Sequence, residues 1–275
     1  MKDPSRADVA ARAVRLRELH HAGEPLVLPN AWDVASARIF EKAGFPAIAT
    51  TSAGIALCLG YPDGQRIPAA EMLGMVARIA NSVPVPVTAD LESGYGDAGA
   101  TAQAAIAAGA AGLNLEDSEN GVLVELQRQI DRIRAVRETG QRLGVRLVLN
   151  ARMDMFLFAE GDPATRVDRA IERLRAYAGA GADSVFAPGV IDEDTIARLA
   201  GAVDCPLNIL AVAGVPPVSR LKELGVRRIS VGSGAMRATM GLTARIAEEL
   251  LHTGTYSRFT QDAISYADAN ALFLP

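Results

Sequence analysis

The stretch AAGAAGLNLED, residues 107–117, joins the end of a helical segment to a glycine and then to a short apolar run that ends in two carboxylates. Gly109 suits the position just after a helix, where a positive φ angle is needed. The run from residue 112 has the composition of a strand buried on both faces. The same order of helical segment, glycine and apolar run recurs at 42–50, 179–187 and 223–231. This repeated junction predicts alternating helices and parallel strands.

Eight apolar runs of this kind follow one another along the 275 residues. They are 25–29, 47–51, 85–89, 112–116, 146–150, 184–188, 206–210 and 228–232. Clear helical stretches between them include 100–109, 122–139, 164–180 and 216–224. Eight such units in about 250 residues are typical of a (β/α)8 TIM barrel. A doubly wound open sheet is the alternative, but no strand is followed by a dinucleotide-binding glycine fingerprint. We therefore expect one α/β barrel domain over 1–275.

Two segments lie outside the eight units. Residues 5–22 predict an extra N-terminal helix, with Ser5 and Asp8 as a capping box. Residues 241–270 predict two further helical pieces, within a C-terminal helical extension over 241–275. The extension is rich in apolar and aromatic residues, so it could pack on its own barrel or on a neighbouring subunit.

The composition and charge of the chain argue against several classes of function. A net charge of −4 without any basic run argues against binding to nucleic acid or to an anionic membrane surface. The two cysteines are too few for a disulfide framework, and the N-terminus lacks the apolar core of a signal peptide. No uninterrupted apolar stretch approaches the ~18 residues of a membrane span. We expect a cytoplasmic protein.

Chemistry in this fold lies where the strands end, on the loops that lead into the helices. Polar residues end or follow the predicted strands in this order: Asn30, Asp33, Thr51, Ser52, Asp63, Asp90, Glu92, Glu116, Asp117, Asn150, Arg152, Asp154 and Ser233, and Asn208 lies within the seventh strand. Carboxylates crowded in one cleft repel one another unless a cation or protons intervene. Oxygen ligands of this kind suit Mg²⁺ or Mn²⁺. We expect Asp90 to bind the ion directly, and Glu92 and Glu116 to act directly or through water.

Several of these residues also have a structural interpretation. Asp33 is favoured as the N-cap of the next helix, and Asp117 and Asp154 could equally begin helices. Arg152 needs an anionic partner, which is either a substrate or a structural ion pair. Asn208 lies within a strand, where an interior amide is the simpler interpretation. No lysine follows a strand, and the histidines lie in the terminal segments, so Schiff-base chemistry and histidine-bound zinc are not expected.

Four stretches resemble the isocitrate lyase/phosphoenolpyruvate mutase superfamily. They are LPNAWDVASARIFEKAGFPAIATTSAG (28–54), DLESGYGD (90–97), LNLEDS (113–118) and NARMDMF (150–156). The similarity extends over nearly the whole chain. It implies a (β/α)8 barrel whose last helix is often swapped between subunits, in dimers or dimers of dimers. It also implies Mg²⁺ and a small 2-oxo acid as ligands.

The resemblance implies roles for individual residues. Asp90 matches the main metal-site aspartate, Glu92 the second acid and Glu116 the acid of the fourth strand. Ser52, Ala53 and Gly54 match the turn that holds the substrate carboxylate. The proposed catalytic residues are Asp63, Glu116 and Arg152, and the proposed substrate-binding residues are Ser52, Ala53, Gly54, Asp90, Arg152 and Asn208.

The sequence departs from the family pattern in several places, and these departures limit the activities that we expect of it. The cysteine motif of the lyase branch is missing from EDSENGVLVELQRQ, and FAPG stands where the lyases carry a glutamate. The gating loop of the phosphonate mutases also has no counterpart. We therefore expect a Mg²⁺-dependent carbon–carbon lyase of a small 2-oxo or 2-hydroxy dicarboxylate, similar to oxaloacetate decarboxylase, acting through a cation-stabilised enolate. Phosphorus–carbon chemistry and non-catalytic binding of a 2-oxo acid remain alternatives.

Overall fold

The computed structural model describes residues 5–261 and 263–274. Each of the eight predicted apolar runs overlaps a strand. The strands are Leu26–Leu28 (β1), Asn30–Ala31 (β2), Ile48–Thr50 (β3), Val87–Asp90 (β4), Gly112–Glu116 (β5), Ser118–Glu119 (β6), Val122–Leu123 (β7), Val148–Arg152 (β8), Ser184–Phe186 (β9), Leu207–Leu210 (β10) and Arg228–Ser230 (β11). Strands β6 and β7 form a separate antiparallel hairpin that the sequence analysis did not predict.

The other nine strands form a parallel ring in the order β1-β11-β10-β9-β8-β5-β4-β3-β2. The two end strands of this order, β1 and β2, are halves of one chain segment interrupted at Pro29, which has no N–H to donate. Leu28 pairs with Ser230 on one side, and Asn30 pairs with Ala49 on the other. This broken strand closes the ring, so the predicted barrel is confirmed and the open-sheet alternative is wrong.

Helices surround the ring. They are Arg6–Leu19 (α1), Val34–Lys42 (α2), Ser52–Cys58 (α3), Ala69–Ser82 (α4), Ala98–Ala107 (α5), Leu126–Leu143 (α6), Pro163–Ala180 (α7), Glu193–Ala202 (α8), Val218–Glu223 (α9), Gly234–His252 (α10), Ser257–Gln261 (α11) and Tyr266–Ala271 (α12). The glycines of the four repeated junctions, Gly44, Gly109, Gly181 and Gly225, all have positive φ angles. Their predicted role in ending helices is confirmed.

The helix caps confirm two of the predicted cap sites and contradict two others. Ser5 and Asp8 form the expected capping box of α1, and Asp33 caps α2 by accepting a hydrogen bond from the backbone N–H of Ser36. Asp117 and Asp154 do not begin helices, because α6 follows Glu125 and α7 follows Asp162. Both aspartates are instead buried beside the carboxyl ends of the strands.

The C-terminal extension differs from the prediction in its helices. Helix α10 begins at Gly234, shortly after the last strand ends at Ser230, and two short helices follow it where one was expected. A cavity of about 240 Å³ lies between Ile39 of α2 and Leu272, beside the end of α12. Much of the apolar surface of this extension is nevertheless exposed on the single chain, and Tyr266 is the most exposed example at 88%. Exchange of a helix between subunits therefore stays a prediction.

The barrel interior contains a layer of hydrogen-bonded polar side chains among its apolar residues. Asn150 donates to Asn114 over 2.8 Å and accepts from Ser184 over 2.7 Å, across three neighbouring strands in register. Arg228 lies fully buried at the start of β11 and donates to the same Asn114. Within 5–261 and 263–274, no helix has the length and apolar character needed to cross a membrane.

Candidate active site

Three strands end in charged residues at the carboxyl end of the barrel, which we call the mouth. Asp90 ends β4, Glu116 ends β5 and Arg152 ends β8. Glu116 and Arg152 are direct partners in the strand register, and Asp90 pairs with Asn114 one strand away. A cavity of about 670 Å³ opens here, and its lining includes Glu116 and Arg152. We call it the mouth cavity; segments 63–66, 92–93, 118–121 and 157–158, together with Ser52, complete its lining.

Asp90 has one carboxylate oxygen bound and one open. Its Oδ2 accepts hydrogen bonds from the backbone N–H of Ser52 at 3.0 Å and from the Ser52 hydroxyl at 2.8 Å. Its backbone N–H donates to the Thr50 hydroxyl at 2.9 Å. Oδ1 is buried and has no hydrogen-bond partner. A buried carboxylate oxygen without a partner is costly, so this atom is the natural position for a missing ligand.

Glu92 lies two residues further along, in a strained backbone conformation. Its φ angle is +52°, a left-handed value that non-glycine residues rarely adopt. The side chain is buried, and its Oε1 accepts a hydrogen bond from the Tyr95 hydroxyl at 3.0 Å. Burial and the nearby negative charge of Asp90 raise the pKa of Glu92 to about 7, although the Tyr95 hydrogen bond opposes this rise. The site thus brings negative charges close enough to disfavour one another.

Arg152 is held by two carboxylates. Its Nη1 lies 2.9 Å from Glu116, and its Nε lies 2.5 Å from Asp154. Burial lowers the pKa of Arg152, but the two carboxylates outweigh that effect and raise it overall. Burial also raises the pKa of Glu116 well above its usual range, despite the attraction of Arg152. A structural ion pair was one of the two interpretations of Arg152, and the structure contains it.

Asp117 and helix α7 hold this ion pair in position. Asp117 Oδ1 accepts from the backbone N–H of Asp154 at 2.8 Å, and its Oδ2 accepts from the Tyr177 hydroxyl at 2.6 Å and from Arg173 at 3.0 Å. Asp154 in turn accepts from the Ser118 hydroxyl at 2.6 Å. Sequence reasoning missed Arg173 and Tyr177, because their only signal is a spacing of four residues on one face of a helix.

The hairpin of β6 and β7 forms one wall of the mouth cavity. Asn120 and Gly121 both have positive φ angles, which two-residue hairpin turns require. Glu119 pairs with Arg128 at 3.0 Å and also with Arg132, so the hairpin is tied to helix α6. The Asn-Gly pair is a sequence signal for such a turn.

The remaining predicted residues lie in different surroundings. Asp63 is exposed at the rim of the mouth cavity, and its Oδ1 accepts from the backbone N–H of Gly64. Ala53 and Gly54 lie in the first turn of α3, where the Gly54 N–H already donates to Thr51 over 3.2 Å. Asn208 is fully buried, bonds with Ser230 and is absent from the cavity lining. The surroundings of Asn208 are therefore those of an interior amide.

The acidic residues offer one open position to a cation. Within the described part of the chain, no three Asp, Glu, His or Cys side chains are arranged to hold a metal ion together. Asp90 nevertheless presents a buried free oxygen, and the charges of Asp90 and Glu92 each raise the pKa of Glu116. Mg²⁺ keeps several waters and takes only one or two protein carboxylates. The donor set fits an ion bound directly by Asp90, with water completing its coordination.

Comparison with known proteins shows what this arrangement is similar to. The family model described as phosphoenolpyruvate phosphomutase matches residues 16–251. The oxaloacetate decarboxylase of Rhodopseudomonas palustris (strain BisB5) is 34% identical over 71% of this chain and 68% of its own length.

Solved structures show the same fold. A candidate lyase/mutase from Burkholderia cenocepacia J2315 superposes with a TM-score of 0.91, at 36% identity over 98% of both chains. Oxaloacetate acetylhydrolase, solved with its product oxalate, has a TM-score of 0.85 at 28% identity, over 95% of this chain and 93% of its own. The resemblance inferred from four short stretches is confirmed, and this chain belongs to the phosphoenolpyruvate phosphomutase family, an enzyme family of the isocitrate lyase/phosphoenolpyruvate mutase superfamily.

Proposed function

We propose that this chain is a lyase that cleaves a carbon–carbon bond in a small 2-oxo or 2-hydroxy dicarboxylate, with oxaloacetate as the first substrate to test. The observation that carries the proposal is the buried, unpartnered Oδ1 of Asp90 beside a cavity whose acids repel one another. Two relatives support the substrate, because one is named oxaloacetate decarboxylase and another is an oxaloacetate acetylhydrolase.

The residues fit a divalent cation, Mg²⁺ or Mn²⁺, at this position. Asp90 would hold it directly, and Glu92 and Glu116 would hold it directly or through water. When bound, such a cation supplies positive charge that counters the negative charge developing on the substrate. Its presence would also lower the raised pKa values of Glu92 and Glu116, because it favours their ionised forms.

The side chains of this chain supply orientation. Ser52 fixes Asp90 through two hydrogen bonds, so its open oxygen keeps one direction. Arg152 keeps Glu116 in place from the neighbouring strand. Decarboxylation of a 2-oxo dicarboxylate breaks a carbon–carbon bond without an acid to start the step, and water can return the proton. The absence of the lyase cysteine motif is consistent with this route.

The direct test follows ¹³C-labelled oxaloacetate by NMR with Mg²⁺. We expect pyruvate and CO₂ to form faster than in protein-free buffer, and a chelator should remove the acceleration. Asp90→Asn should lower the rate at least about a hundredfold, because it weakens the charge that holds the cation. Asp204→Asn is the matched control, since Asp204 lies at the opposite end of the barrel, outside the mouth cavity.

Other products would redirect the proposal. Oxalate and acetate in place of pyruvate would indicate the hydrolytic cleavage that the acetylhydrolase performs. A rate insensitive to both chelator and Asp90→Asn would reject the proposed function. Binding of oxaloacetate without turnover would favour the non-catalytic alternative.

Phosphorus–carbon chemistry is the second candidate, because the matching family model is described as a phosphomutase and Asp63 lies at the cavity rim. A ³¹P spectrum of the protein with phosphonopyruvate separates the two candidates. A new phosphorus resonance would support this chemistry, and an unchanged spectrum would reject it.

A further inference from the structure

The lining of the mouth cavity contains two arginines, Arg66 and Arg152, and they differ in their partners. Arg152 is already engaged by Glu116 and Asp154. Arg66 is exposed, and within the described residues no hydrogen bond or ion pair involves its guanidinium group. The mouth cavity therefore has one lining cation whose charge is still available to a ligand.

The backbone holds Arg66 at the rim although its side chain is free. Gly64 and Gln65 have φ angles of +89° and +57°, so the loop turns sharply just before Arg66. Gln65 Nε2 donates to the Ser93 hydroxyl at 2.5 Å, which ties the loop to the segment after β4. Ile67 is buried in the hydrophobic core on the other side of Arg66. Arg66 thus stands between two anchored neighbours.

The charge around the cavity makes this cation important for a dianionic ligand. Asp63 and Glu92 also line the cavity, and Arg152 is shared between Glu116 and Asp154, so a second negative charge in a ligand meets repulsion over much of the surface. Glu119 is another lining acid, but Arg128 offsets its charge from α6. A cation bound at Asp90 would offset the negative charge only at the end of the ligand that lies next to it.

We propose that Arg66 binds the distal carboxylate of the substrate, the one farther from the 2-oxo group. This inference rests on the proposed function, which supplies a dicarboxylate. Arg152 positions Glu116, and Arg66 selects substrates that carry a second carboxylate through a charge-assisted hydrogen bond.

The kinetic consequence distinguishes Arg66 from a purely structural residue. In decarboxylation the distal carboxylate loses its charge as CO₂ leaves, so its contact with a guanidinium is stronger before the bond breaks than in the transition state. Arg66→Gln should therefore raise KM for oxaloacetate about tenfold without lowering kcat.

The deciding experiment compares two dianions of equal charge by calorimetry in the presence of Mg²⁺. Oxalate has no distal arm, whereas 3,3-difluorooxaloacetate carries the distal carboxylate. We expect Arg66→Gln to weaken binding of difluorooxaloacetate about tenfold and to leave oxalate binding unchanged. Arg198→Gln is the matched control, because Arg198 is exposed and pairs with Asp168 outside the mouth cavity.

Each other outcome contradicts part of the account. Unchanged binding of both probes to Arg66→Gln, or an equal loss for both, would overturn the assignment of Arg66 while leaving the proposed function intact. Failure of the native protein to bind either probe would overturn the proposed substrate class and the role of Arg66 with it.

Discussion

Two arginines lie at opposite ends of the barrel interior, and their surroundings differ: Arg228 is fully buried, whereas Arg152 is partly exposed in the mouth cavity. Arg152 ends β8 at the mouth and is paired with two carboxylates, which raise its pKa. Arg228 begins β11 at the amino end of the ring, and no carboxylate pairs with it in the described structure. Burial lowers the pKa of Arg228 to about 9, although the charge of Asp90 partly opposes this shift.

The neighbours of Arg228 are neutral. Its Nη1 lies 3.2 Å from His20, whose pKa burial and the charge of Arg228 lower to about 3. Its Nη2 donates to Asn114, and its Nε has no partner. The amino end thus accommodates a buried cation whose hydrogen-bond partners are all neutral, whereas Arg152 at the mouth is shared between two carboxylates. The mouth is also the end where a cation is proposed to bind.

The largest expected effect comes from removing each arginine in turn. Arg152→Met leaves Glu116 and Asp154 facing one another without a counter-charge, so the free energy of unfolding should fall by about 3–5 kcal/mol. Arg228→Met removes a buried charge that has no ionic partner, so stability should stay unchanged or rise. Urea unfolding of both variants at neutral pH measures the difference. A larger loss for Arg228→Met would contradict the comparison.

The next effect is a pH dependence of opposite sign at the two ends. The pKa of His20 is lower in the folded chain than the usual 6.5, so its contribution to stability is complete above pH 6.5 and is lost as pH falls toward 3. The pKa of Glu92 is raised from 4.5 to about 7, so its contribution is complete below pH 4.5 and is lost as pH rises through 7.

Urea unfolding between about pH 5 and about pH 8, with a chelator present, separates the two contributions. His20→Gln should remove a rise of stability with pH, and Glu92→Gln should remove a fall. Each effect amounts to about 1.4 kcal/mol for every pH unit of the measured range that lies between the folded and unfolded pKa values. Identical pH profiles for the two variants would show that the ends do not differ in this way.

Much of the architecture could be predicted from the sequence. Eight apolar runs and the glycines before four of them indicated the barrel, because strand burial and positive φ angles leave a local signature. The acids Asp90, Glu92 and Glu116 were predicted at the mouth, since each ends or follows a strand, and the structure places all three there.

The partners of these side chains could not be predicted. Arg152 meets Asp154 and Glu116 because adjacent strands set their register, and Asp117 meets Tyr177 across 60 residues of chain. The burial of Arg228 within the ring could not be predicted either, since an arginine at the start of a strand is usually a surface residue. Such contacts depend on tertiary structure, which no short stretch encodes.

The most direct measurement of the central claim is Mn²⁺ binding, followed by electron paramagnetic resonance or calorimetry in the absence of substrate. The claim is that the open oxygen of Asp90 anchors a divalent cation at the mouth. We expect one Mn²⁺ per chain in the native protein and in Asp204→Asn, and affinity at least about tenfold weaker in Asp90→Asn. Equal affinity in the native protein and in Asp90→Asn would contradict the claim.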